Sequence, residues 1–291
     1  MYVFLLIPII YTLVFCYYPM LGAQIAFKQF NPVDGIWGSP WVGLDQFRKF
    51  MSTPNFLNIL KNTFVLASYT LIAGFPLPII LALIINSFPK KRFSKTVQTI
   101  TYIPYFISTV VIVGMIIQLF NPRMGAFGIL YGMFFNSRMP DILSKAPAFP
   151  HLYVWSGIWR SLGYSSIIYI AALSSVDEEM HEAAQIDGAS RFQRVRHIDF
   201  PSILPTAIIM LILSSGSIMN VGFEKVYLMQ NNLNLSQSEV ISTYVYKIGL
   251  TQGTGDFSFA AAIGLFNSII NFGMLVFVNT VSKKVSKSSL W

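Results

Sequence analysis

The chain has 291 residues, of which 54% are hydrophobic and 11% charged, against roughly 25% charge in a soluble domain. That excludes a disordered chain, which needs low hydrophobicity and high charge. It also argues against a soluble enzyme of this size, which must cover its surface with polar groups. The single Cys16 excludes an intramolecular disulfide and a Cys-rich metal site. The net charge of +8 fits nucleic acid or a membrane surface, and its distribution has to decide.

A spanning helix needs about 20 mostly apolar residues. Six stretches qualify: 2–23, 57–87, 100–120, 154–173, 201–222 and 257–281. The second is longer than one crossing requires, and Gly74, Pro76 and Pro78 predict a kink in it. The third carries Pro104, tolerated in a span where neighbouring helices satisfy the freed backbone groups. The first stretch lacks the basic start and small-residue cleavage site of a signal peptide, because Tyr17-Tyr18-Pro19-Met20 is a poor cleavage site. It is read as an uncleaved span, and its bare start leaves room for a few native residues ahead of Met1.

Short loops rich in Lys and Arg face the cytoplasm. The loops between spans two and three and between four and five, with the C-terminal tail, hold ten of the 20 cations. These are Lys90, Lys91, Arg92, Lys95, Arg191, Arg194, Arg196, Lys283, Lys284 and Lys287. The expectation is an all-α, six-span, multi-pass membrane protein with both termini cytoplasmic. The positive charge then reports topology, and no basic stripe interleaved with aromatics points to nucleic acid. Residues 25–56 carry Trp37, Trp41, Phe47 and Phe50, and residues 121–153 carry Met133, Phe134 and Phe135. Short interfacial helices are expected in both, serving either as lipid anchors or as contacts for an external partner.

The loop between spans four and five is patterned. Asp177, Glu178 and Glu179 head a helical run, where the macrodipole favours acids. Gly188 can end that helix with a positive φ, and Asp187 or Ser190 can cap the next, with Pro201 marking its end. The picture is two short helices joined at a glycine elbow, a surface for docking a partner. A membrane-surface connector is the competing reading, disfavoured because anionic lipid repels its acids.

The pattern Glu182-Ala183-Ala184-x-x-Asp187-Gly188-Ala189, followed by Ile198, Pro201 and Pro205, resembles the EAA loop of ABC importer permeases. Other segments resemble the branch that carries complex oligosaccharides and polysaccharides. They include Tyr18-Pro19-Met20-x-Gly22, Trp41-Val42-Gly43-Leu44, Phe223-Glu224-Lys225-Val226, Tyr244-Val245-Tyr246-Lys247 and the tail from Ser282 to Leu290-Trp291. The resemblance implies the type I importer permease fold in the bacterial cytoplasmic membrane. It divides the chain into a first span with an outer segment (1–56), a permease domain with its coupling loop at 176–200 (57–281), and a tail (282–291). It implies a second, related permease as heterodimer partner, two cytoplasmic ATPase subunits, an extracytoplasmic solute-binding protein and an oligosaccharide substrate, all around a lipid-embedded chain. Glu182, Ala183, Asp187 and Gly188 would then couple to the ATPase. No Gly-x-x-x-x-Gly-Lys-[Ser/Thr] is present, so ATP and Mg are expected on partner subunits and no cofactor on this chain.

Sugars are held by aromatic faces and polar groups. Candidates in or near spans are Tyr102, Tyr105, Ser108, Trp155, Trp159, Arg160, Tyr164, Asn220, Glu224, Tyr227, Asn267 and Asn271. Arg160 and Glu224 stand out because ionisable groups at membrane depth are functional by default, although each can instead snorkel or pair. The Asn residues serve either substrate or helix association. His181 and His197 lack a third ligand for a metal. Competing functions are a same-family permease for a small sugar or glycerol phosphate, an integral membrane enzyme, and an ion-coupled carrier. The enzyme would want clustered His or acids at the bilayer edge. The carrier would show paired mid-span charges and inverted repeats, neither of which is visible.

Overall fold

The computed structural model describes residues 2–88, 91–251 and 255–286. Lys90, Lys287 and the Leu290-Trp291 end of the predicted tail lie outside the described residues. Among those described, helices dominate, and the only strand-like feature is an isolated bridge from Lys28 to Trp41.

Four helical runs are long and apolar enough to cross a membrane: Phe4–Phe27, Phe56–Ser87, Arg191–Ser215 and Phe257–Lys284. A fifth crossing exists if the pair Arg92–Phe106 and Thr109–Leu119, bent by 96°, counts as one. The predicted fourth span is the continuous helix Phe149–Leu173, 25 residues long. It is less apolar than those four, since Ser156, Arg160, Ser161, Ser165 and Ser166 interrupt its apolar run.

Three expectations about continuity change. The stretch 100–120 is not one straight span. After a short turn that starts beside Pro104, Ile107 and Ser108 are extended (ψ 132° and 153°), and the Ser108 hydroxyl caps the next helix by accepting from Val111 N at 3.3 Å. The stretch 57–87 is interrupted at Phe75, yet Phe75 keeps helical angles (φ −69°, ψ −45°) and the run continues through Pro76. Pro201 does not end the second loop helix. A π-helical turn, Val195–Asp199, joins Arg191–Arg194 to Phe200–Ser215, which fits the missing N–H of a proline early in the following helix.

The chain forms two compact units. The first comprises Met1–Lys61 and Glu239–Ile270. Its core is aromatic: Phe50, 1% exposed, meets the rings of Phe56, Phe259 and Phe266 within 6.3 Å. Its outer segment has short helices at Gly35–Gly38 and Asp45–Met51. Lys28 is buried, donating to Ile36 O at 2.7 Å beneath Trp41.

The second unit comprises Asn62–Ser238 and Asn271–Trp291. Here Ile79 and Ala82 pack against Tyr169, Leu173, Ile203 and Ala207. Gly163 lets the Phe149–Leu173 helix approach the Thr101 backbone so closely that a Cβ would collide with the Thr101 carbonyl.

Candidate functional site

Two features of the second unit carry chemistry: a protruding loop and a cavity. In the loop, Asp177 caps the helix Glu178–Ile186 by accepting from Glu179 N at 3.0 Å. Gly188 takes φ +79° with nothing within 4 Å of where a Cβ would stand. Ser190 begins the next helix as a capping box: its hydroxyl accepts from Gln193 N, and Gln193 Oε1 accepts from Ser190 N at 2.7 Å. Of the two cap candidates the structure uses Ser190, while Asp187 closes the first helix by donating its N–H to Ala183 O. Glu182, Ala183, Asp187 and Gly188 are all exposed.

The loop is anchored at its base. His181 on the first helix meets the Asp199 carboxylate at 3.2 Å, and that side chain is only 3% exposed. The Asn86 amide adds a longer contact at 3.4 Å.

The cavity has a volume of about 860 Å³. Its walls come from Phe56–Gly74, Pro76–Ser87, Phe149–Leu173, Phe200–Ser215 and the segment leading to Phe223–Met229. Tyr153, Tyr164, Ser161, Ser214 and Asn220 supply aromatic faces and hydrogen-bonding groups among aliphatic residues. Such a mixture suits a polyhydroxylated ligand, whose C–H faces stack and whose hydroxyls exchange hydrogen bonds.

The described wall contains one charge, Lys225. Its ammonium donates to Tyr153 O at 2.6 Å and lies 4.7 Å from the centre of the Tyr153 ring. Burial, and then the Arg160 guanidinium, lower its pKa from 10.5 to about 7.

The model of the family described as binding-protein-dependent transport system inner membrane component matches residues 74–287. The chain belongs to that family. This permease chain is 41% identical to Protein LplB of Bacillus subtilis (strain 168), over 99% of its own length and 90% of that protein. It is 39% identical to the polygalacturonan/rhamnogalacturonan transport system permease protein YteP of the same organism, over 100% and 90%. Among solved structures it matches a chain of a bacterial alginate ABC transporter in complex with an alginate pentasaccharide-bound periplasmic protein. The TM-score is 0.90 at 36% identity, covering 99% of this chain and 96% of that one. The protein is thus an inner-membrane, multi-pass ABC importer permease.

Within this permease, two of the residues singled out in the sequence, Tyr164 and Asn220, line the cavity. Tyr105 stacks flat on Tyr164, with centroids 3.8 Å apart and planes within 2°. Trp155 Nε1 donates to the Tyr69 hydroxyl at 2.9 Å, which also meets His151 at 3.0 Å. Arg160 Nη1 donates to Thr109 Oγ1 at 2.9 Å, and its Nε is buried with no partner. Asn271 ties its helix to the segment after Ser215: its Oδ1 accepts from Met219 N at 2.8 Å and its Nδ2 donates to Asn220 Oδ1 at 3.0 Å. Tyr102, Trp159, Glu224 and Tyr227 lie off the wall, with Trp159 and Glu224 exposed and Tyr227 stacked on Phe223. Asn267 belongs to the other compact unit.

The sequence alone does not single out Tyr153, Ser161, Ser214 or Lys225 as path residues. The first three carry no local signal, being ordinary residues on apolar helices. Lys225 had one, since Phe223-Glu224-Lys225-Val226 was among the family-like segments.

Proposed function

We propose that this permease imports an oligosaccharide or polysaccharide fragment. It does so with a related second permease, two ATPase subunits that hold ATP and Mg, and an extracytoplasmic binding protein. Support for the substrate class comes from the names of its relatives: one permease for polygalacturonan/rhamnogalacturonan and one importer of alginate. The cavity chemistry is of the same kind.

One observation carries the mechanism. The helix Phe149–Leu173, which walls the cavity through Tyr153 and Tyr164, ends four residues before Asp177, the cap of the exposed helix. The run Arg191–Ser215 starts just past the Gly188 elbow and reaches the cavity wall again at Ser214. The coupling loop is therefore the hinge end of a helical hairpin whose other end is the sugar path. His181 and Asp199 tie the loop to that hairpin. Glu182, Ala183, Asp187 and Gly188 present the contact for the ATPase, with the small Ala allowing close approach. Closure of the ATPase dimer on ATP moves the loop, and packed helices transmit the movement to the cavity as a two-state change.

The test is reconstitution of the full complex in vesicles. ATP-dependent uptake of oligosaccharide, stimulated by the binding protein, is expected. Uptake that persists without ATP or without the ATPase subunits refutes the reading.

A further inference from the structure

Lys225 sits where a bare charge is costly. It is half-buried and is the one charged residue of the described cavity wall. Of its three N–H groups, one is given to Tyr153 O. A Cβ at Gly157 would stand 3.1 Å from its Nζ, so the glycine leaves room for the ammonium against the helix. The charge that acts on it is a second cation, Arg160, whose Nε is itself buried without a partner. Among the described residues no carboxylate lies within 4.0 Å of either group. Glu224, its neighbour in sequence, is exposed. Buried charges in folded proteins are normally paired, because the desolvation cost is otherwise uncompensated. Two neighbouring cations without an anion at a substrate path leave the anion to be supplied by the substrate.

We propose that Lys225 is a specificity-determining residue whose ammonium receives a carboxylate of the passing sugar, so that the path favours acidic oligosaccharides over neutral ones of equal length. The inference rests on the importer reading above. A charge-assisted hydrogen bond to a carboxylate in a partly desolvated site is strong and directional, and Tyr153 orients the amine for it by accepting one proton. The titratable or charged groups around Lys225 are Arg160 and Tyr153 on the Phe149–Leu173 helix, and Glu224 and Tyr227 on its own helix. The packed helix Thr109–Leu119 has none. With the free amine titrating near 7, an arriving carboxylate favours the charged form and draws in a proton. Apparent affinity for acidic sugars therefore weakens as the outer pH rises through about 7.

The experiment uses the complete transporter in vesicles with its binding protein. Trisaccharides of galacturonate, mannuronate and guluronate are offered beside their carboxyl-reduced forms. Wild type is expected to take up an acidic member in preference. Lys225→Met should raise the apparent KM for that sugar about tenfold or more, the worth of one hydrogen bond to a charged group. Lys225→Arg should restore affinity and flatten the pH profile, since its guanidinium stays protonated. The proposal is overturned if Lys225→Met matches wild type on the acidic sugar. It is equally overturned if Lys225→Arg falls as far as Lys225→Met, which marks a structural role. Wild-type uptake of the reduced sugars as readily as the acidic ones overturns it while leaving the importer reading intact. Uptake of no sugar overturns both.

Discussion

The coupling loop and the cavity wall belong to one compact unit and are built on opposite principles. The caps and elbow of the loop are held by neighbours in sequence, Asp177 to Glu179, Asp187 to Ala183 and Ser190 to Gln193, while its base is tied from farther away by His181 and Asn86 to Asp199. Glu182, Ala183, Asp187 and Gly188 stay exposed. The wall is held by partners far apart in sequence: Lys225 to Tyr153, Arg160 to Thr109, Asn271 to Met219 and Asn220. The exposed turn takes its shape from its own local geometry. A path that must fit a ligand and change shape needs several helices held at set distances.

That contrast predicts that changes at buried contacts act through packing and changes at the exposed elbow through coupling. The largest effect on stability is expected from Gly163→Val. Its side chain collides with the Thr101 backbone, so a loss of about 3 kcal/mol should lower the thermal midpoint of the solubilised complex and its yield. An unchanged midpoint would show that the two helices separate freely there. His181→Ala removes the partner of the buried Asp199 and should cost about 1–3 kcal/mol in the same melt. Asp199→Asn, which also removes the charge, should cost less. Equal costs would mean that the His side chain matters only as bulk.

Gly188→Val meets no neighbour but forces a β-branched residue to φ +79°. It should cost only about 1–2 kcal/mol, yet uncouple ATP hydrolysis from uptake in vesicles. Full coupled transport would dismiss the elbow as a coupling element. The smallest effect is expected from Ser190→Ala, which removes an exposed cap worth about 1 kcal/mol and should leave uptake largely intact. A transport defect as deep as that of Gly188→Val would erase the distinction between cap and elbow.

The loop was legible because its information is local. Acids at a helix start, a glycine needing positive φ and a Ser cap all fall within 14 residues, from Asp177 to Ser190. The apolar runs were legible as runs, but their continuity was not. Pro104 was read as tolerated inside a span, whereas the chain there turns by 96°. Pro201 was read as an end, whereas a π-helical turn carries the helix past it. A proline only removes a donor and restricts its neighbour, and the surrounding helices decide whether the chain bends or absorbs the defect. The substrate candidates were chosen by residue type and approximate depth, which cannot tell a side chain facing the cavity from one bonded across a helix interface. Asn220 and Asn271 share one hydrogen bond, yet Asn220 lines the cavity and Asn271 is buried behind it.

The sequence by itself determined the membrane class, the apolar runs, and the two-helix loop with its glycine elbow and caps. Those follow from composition and from contacts spanning at most a few residues. Only the tertiary structure decided which polar groups face the cavity. It put Lys225 on the wall and left Glu224 outside, and it gave the ammonium a carbonyl 72 residues away, with no carboxylate among the described residues within 4.0 Å. The reason is one of range. Helix geometry repeats every 3.6 residues and can be read along the chain, whereas the pairing of a buried charge depends on which helices meet, and no local pattern records that.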